Sequence, residues 1–268
     1  MPESRITRGI ESTEGETSGT QSIRRAVATL RILAMRREGG AGLTEIARLS
    51  GQSHPTTHRI LKALIAEGLV ERRAGTRRYA LGEQIRLLAL SRPTGSRLLA
   101  TAGPVLHALA TELGDTIFLT QRSGLDTVCI ARWLGSFPIQ VTSLNVGDRR
   151  PLGVSSAGII VLAQMSQHEV GDILAQNEPR LQGARFTAGQ ARAHIAAARR
   201  NGYALRDQGL VPGTKALSVA IRDTRGNAYA AITMAGLTRR LSPQRLPRVV
   251  ERLLATADQI ETTLNNRS

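Results

Sequence analysis

The segment from residue 43 to residue 82 constrains the fold more than any other part of the chain, because two helix signals and two strand signals follow one another there with almost no slack. LTEIARLSG reads as a short helix with Thr44 as the expected N-cap, Ile46 and Leu49 facing inward, and Gly51 as the stop. Gln52 separates that stop from SHPTTHRILKALIAEG, where Ser53 can cap and Pro55 suits the first turn. Thr57, Ile60, Leu61 and Leu64 then share one stripe, with Arg59 and Lys62 opposite it and Thr56 and His58 on its flanks. Gly68 ends this helix, and LVERR and RRYAL, joined around Ala74-Gly75-Thr76, read as a hairpin. Upstream, Ser22 is the expected cap of a helix with Ile23, Val27, Leu30 and Ala34 on its inner face, broken by Gly39, Gly40 and Gly42. Three helices with a tight turn between the last two, followed by a hairpin, describe a winged helix-turn-helix.

Charge says what such a unit can touch. The chain carries 36 basic and 21 acidic residues, a net charge of +15. Residues 21–98 hold 15 basic and 5 acidic side chains, so +10 of that excess sits in this one stretch. A chain this basic is suited to a polyanion, nucleic acid before acidic membrane. A recognition helix reads the major groove with its outward side chains. Here these are Ser53, His54, Thr56, His58, Arg59 and Lys62. Arg24 and Arg25 are placed for the DNA backbone, and Arg72, Arg73, Arg77 and Arg78 on the wing suit phosphates or an adjacent minor groove. His54 and His58 have the spacing of two zinc ligands, but the intervening Pro-Thr-Thr and the lack of a third ligand nearby argue against a metal site.

The rest of the chain changes character. We divide it into a disordered tail over 1–20, a winged helix-turn-helix domain over 21–82 (helix-turn-helix about 43–62, wing about 69–82), a linker helix over 83–98 and an α+β domain over 99–266. In the last of these, DTIFLTQ, DTVCIARW, IQVTSL, ALSVAI and AYAAITMAG read as strands. Helices are expected over GPVLHALATEL, near Ser155, near His168, over Gly189–Arg200, and from Ser242-Pro243 to about Leu264. Strands bracketed by helices predict a sheet with one helix-covered face. The small residues at Ser155–Gly158 open a helix whose unpaired N–H groups could hold a carboxylate. The same stretch departs from a nucleophile elbow where Ala157 replaces a glycine, and no catalytic constellation accompanies it, so no enzyme is expected. Cys129, the one cysteine, lies in an apolar run and reads as a buried small hydrophobe. No run of about 18 apolar residues is present to cross a bilayer. We expect a cytoplasmic protein with no membrane partner and no cofactor.

Three segments, SIRRAVATLRIL, LTEIARLSGQSHPTTHRILKALIAEGLVER and RRYALGEQIRLLAL, resemble the DNA-binding half of the IclR family of bacterial transcriptional regulators. The resemblance continues through VGDRRPLGVSSAG, RRNGYALRDQGLVPG and ALSVAIRDTRGNAYAAITMAG to RLSPQRL, and covers about residues 21–264. It implies a GAF-like effector-binding domain after the linker helix, and a homodimer or dimer of dimers on a palindromic double-stranded operator. Carried over residue by residue, it implies an effector pocket at Ser156, Ala157, Arg206, Ala216, Thr233 and Ala235. Arg206 and the helix start at Ser156 together predict an effector with a carboxylate. The expected function is that of a sequence-specific regulator, a repressor rather than an activator, controlled by a small organic-acid or aromatic-acid effector. A ligand-independent architectural DNA-binding protein and an enzyme with an appended DNA-binding domain are the alternatives.

Overall fold

The computed structural model describes residues 14–36, 39–91, 97–207 and 211–266. The chain divides into two compact units, Met1–Gly95 and Ser96–Ser268. In the first, α1 (Glu14–Ala34) leads into a short strand, β1 (Ala41–Gly42), and then α2 (Leu43–Ser50) and α3 (His54–Ala66). The wing is β2 (Val70–Arg72) with β3 (Arg78–Leu81), and α4 (Glu83–Leu90) follows. The small sheet is antiparallel in the order β1-β3-β2. Ile32, Leu33, Ile46, Leu61, Leu64 and Val70 form the core.

Local chemistry explains the tight turn. Gly51 closes α2 in the left-handed region at φ 65°, its N–H returning to Ala47 and Arg48 carbonyls. Ser53 Oγ then caps α3 by accepting from Thr56 N at 3.4 Å, with proline in the first turn.

Several expectations for the first unit need correction. The tail expected over 1–20 falls outside the described residues as far as residue 13, and from Glu14 the chain is helical, so Ser22 lies inside α1 and does not cap it. The buried side of α1 is Thr29, Ile32 and Leu33 with Ala26 and Leu30, while Ile23 and Val27 are exposed. A polar residue sits in that stripe because Thr29 Oγ1 satisfies itself on Arg25 O at 3.0 Å. Gly42, not Thr44, is the N-cap of α2, because pairing of Gly42 with Arg78 keeps the chain extended up to the helix. Ala47 rather than Leu49 joins Ile46 inside; Leu49 is exposed.

The linker expected as one helix over 83–98 contains α4 and the start of α5 (Arg97–Leu113), and residues 92–96 between them lie outside the described residues. From there the second unit runs through β4 (Thr116–Ser123), β5 (Asp126–Trp133), β6 (Arg149–Pro151), α6 (Ser156–Ala163), α7 (Gln167–Gly183) and α8 (Ala188–Asn201). It closes with β7 (Ala204–Arg206), β8 (Thr214–Arg222), β9 (Ala228–Leu237) and α9 (Leu246–Asn265). The sheet is antiparallel throughout, in the order β6-β5-β4-β9-β8-β7.

Both faces of this sheet are covered, not one. Leu217, Val219 and Ile221 pack with α5 and α9, while Ala220 and Ala231 pack under α6, α7 and α8. Residues 139–144, expected as a strand, are irregular. The edge of β5 is already used: Cys129 N donates to Asp148 O at 3.0 Å and Gly147 N to Cys129 O at 2.6 Å. Val141 instead buries itself against Phe118 and Cys129. The closing helix starts at Leu246 and not at Ser242, because Ser242 O accepts from Arg245 N and Leu246 N in a turn that precedes it.

Candidate nucleic-acid interface and buried cavity

On the first unit, α3 presents Ser53, His54, His58, Arg59 and Lys62 as exposed side chains, with Thr56 half-buried beside them. Thr57, Leu61 and Leu64 anchor the opposite face. Ser53 and Thr56 are tied to each other, Ser53 Oγ donating to Thr56 Oγ1 at 2.9 Å, so these two hydroxyls also serve the cap. Arg24 is exposed and Arg25 half-buried on α1. Arg72, Arg73, Arg77 and Arg78 are all exposed on the wing. Arg78 has structural work as well: its Nε donates to Gly39 O at 2.6 Å and its Nη2 to Gly40 O at 2.8 Å. That guanidinium pins the 39–40 backbone to the wing.

In the second unit, strand register gathers residues far apart in sequence. Arg206 pairs with Ala216, and Ala216 with Ala235; in the next row Ser218 pairs with Thr233, and Thr233 with Phe118. The side chains of these rows lie on the sheet face under α6. There they border a cavity of about 60 Å³. Ser156, Ala157, Arg206, Ala216, Thr233 and Ala235 all line it.

The first turn of α6 forms one wall. Ser155 is its N-cap, accepting from Gly158 N at 3.1 Å. Gly153, at φ 104°, lets the chain turn into the helix, and a Cβ there would lie 2.9 Å from Leu174 Cδ2. Behind the wall, Ser218 Oγ donates to Ser156 Oγ at 2.8 Å and meets Thr233 Oγ1 at 2.7 Å. Phe118, Val141 and Ala235 make a buried apolar side together with Cys129.

Three cations line the cavity, Arg150, Arg206 and Lys215, and no carboxylate does so among the described residues. Arg206 Nη1 donates to Val154 O at 2.7 Å, and its guanidinium carbon sits 4.5 Å above the Phe186 ring. Burial pushes its pKa down from the ordinary arginine value. His194 also stacks on Phe186, at 5.9 Å; burial and then the Arg206 charge hold its pKa below the usual histidine value. Lys215 Nζ pairs with Asp207 Oδ1 at 2.9 Å. Sequence reasoning missed Arg150, Lys215, Phe118 and Ser218. The alternation of Arg149 and Arg150 on a strand is the signal that would have found the first of them.

Comparison with known proteins finds two family matches. The model for the IclR helix-turn-helix domain matches residues 22–74, and that for the bacterial transcriptional regulator IclR C-terminal region matches residues 94–262. The chain is 24% identical over 264 residues to the transcriptional repressor IclR of Escherichia coli (strain K12), covering 97% of this chain and 96% of that protein. A solved structure of a putative IclR transcriptional regulator from Silicibacter sp. TM1040 is similar at TM-score 0.77 and 24% identity, over 90% of this chain and 95% of that one. An IclR homolog from Microbacterium hydrocarbonoxydans, solved in complex with 4-hydroxybenzoate, is similar at TM-score 0.71 and 22% identity, over 91% and 99%.

Proposed function

The chain belongs to the IclR family of bacterial transcriptional regulators, and on that premise we propose that it is a homo-oligomeric, sequence-specific repressor whose hold on its operator is set by a small organic acid. The exposed donors of α3 read base edges, led by Arg59, while Arg24, Arg25, Arg73, Arg77 and Arg78 meet phosphates or the minor groove. A dimer presents two such helices to major-groove faces about 34 Å apart. Ile23 and Val27 on α1, and Leu87, Leu88 and Leu90 on α4, are exposed apolar residues that support self-association. The repressor reading draws on the similarity to the Escherichia coli repressor. No helix among the described residues is long and apolar enough to cross a membrane, which accords with a regulator working on DNA in the cytoplasm.

The acid part of the reading is carried by one observation: among the described residues, three cations and no carboxylate border the cavity. A carboxylate there would meet positive charge and the first turn of α6, with its carbon skeleton against Phe118 and Val141. Ser156, Ala157, Arg206, Ala216, Thr233 and Ala235 form its walls. That a related structure holds 4-hydroxybenzoate supports an acid as the effector class. The chain then acts by binding, not by catalysis. An effector shifts DNA affinity only by its difference in affinity between the two states of the protein.

The test is fluorescence anisotropy on DNA from upstream of the protein's own gene, at about 0.15 M salt with excess random competitor, since specific sites bind about 10³-fold or more tighter than random DNA. Competitor-resistant binding that changes on adding a carboxylic acid, and not its amide, is the expected result. Binding erased by random DNA from every candidate operator would overturn the sequence-specific reading.

A further inference from the structure

We propose that Arg150, and not Arg206, takes the anionic group of the ligand, an inference that rests on reading the cavity as the site of an organic acid. Strand geometry separates two neighbouring arginines. Arg149 turns to Asp126, its Nε 3.0 Å from Oδ2, and its Nη2 donates to Ser123 O at 3.1 Å. Alternation along β6 sends Arg150 the other way, to the cavity wall beside its cross-strand partner Thr127. There Arg150 Nε is buried with no hydrogen-bond partner. Arg150 also forms no ion pair among the described residues. The other two cavity cations are committed, Lys215 to Asp207 and Arg206 to Val154 O and the Phe186 ring.

The buried Nε–H costs free energy while it lacks an acceptor, and the guanidinium that carries it has no ion pair among the described residues to give up when an anion enters the cavity. The guanidinium fork matches the planar carboxylate better than a point charge does, so the chemistry selects a carboxylic acid. Phe118 and Val141, which also line the cavity, suit a short apolar body, so the favoured ligand is a compact monocarboxylate.

The full chain is titrated by calorimetry with benzoate, 4-hydroxybenzoate and pyruvate, each beside its amide, and melted without ligand. The wild type should prefer acids over amides by about tenfold or more, as a charge-assisted bidentate contact requires. Arg150→Met should erase that preference and melt, without ligand, at or above the wild-type temperature, because the orphaned N–H is gone. Arg150→Lys should restore part of the preference, and Arg206→Met should weaken acid and amide alike. An acid preference retained in Arg150→Met overturns the assignment while leaving the acid reading intact. A wild type that binds acids no better than amides overturns the acid reading, and this assignment with it. If Arg150→Met does not fold, Arg150→Gln and Arg150→Lys decide on the same ratio.

Discussion

Ser218 donates its hydroxyl proton to Ser156 Oγ across 2.8 Å, although the two residues stand 62 positions apart in the chain. Ser218 is fully buried and meets Thr233 as well, so one hydroxyl behind the wall orients two that form it. Ser218→Ala therefore leaves two buried hydroxyls with lost partners. The expected cost is about 1–3 kcal/mol, read as a lower urea midpoint at unchanged slope. An unchanged midpoint would show that the three hydroxyls are not coupled.

Asp115 is 1% exposed and accepts from both Arg240 (Nη2 at 2.9 Å) and Arg245 (Nη1 at 2.7 Å). Both arginines also donate to Leu113 O, which ties the end of α5 to the turn before α9. Asp115→Ala removes the one carboxylate between two half-buried cations. We expect a loss of about 3 kcal/mol in chemical denaturation, the scale for breaking a buried pair from one side. Asp115→Asn, which keeps an acceptor, should lose less.

His194 supplies a pH dependence. Its pKa is lowered from 6.5, first by burial and then by the charge of Arg206, so the folded chain favours the neutral ring. The unfolded chain binds the proton more readily, and stability rises with pH wherever that is so. The contribution is therefore fully present above pH 6.5 and is lost as the pH falls below it towards the folded value. His194→Gln should flatten that part of a stability-against-pH series; an identical slope in the variant would assign the dependence to other groups.

The two wing arginines 77 and 78 should separate. Arg77 is exposed, and Arg77→Ala is expected to weaken binding to all DNA sequences and reduce the salt slope by about one. Arg78→Ala also frees the carbonyls of Gly39 and Gly40, so it should lower the melting temperature of the DNA-free chain, which Arg77→Ala should not. Equal melting temperatures for the two variants would remove the structural role from Arg78.

Much of the DNA-binding unit was legible because its signals are local. Gly51 ends α2, Ser53 caps α3, and Thr57, Leu61 and Leu64 face inward, all decided by interactions within about one helical turn. The buried face of α1 was misread for the converse reason: apolarity favoured Ile23 and Val27, but Thr29 could go inside once its hydroxyl found Arg25 O. The cavity was legible through resemblance to a family, not through spacing. Its residues come from seven elements and the segments before and after β6, and no local pattern joins them.

Residue order alone determined the stop of α2 at Gly51, the start of α3 at Ser53 and the concentration of positive charge in the first third of the chain. Tertiary structure decided the covering of both sheet faces, the irregular path of 139–144, and which cavity cation keeps a buried donor unpaired. The reason is range. Strand register sets Arg206 beside Ala216 and Ala216 beside Ala235, and a partner such as Asp207 for Lys215 or Val154 for Arg206 exists only once those rows have formed.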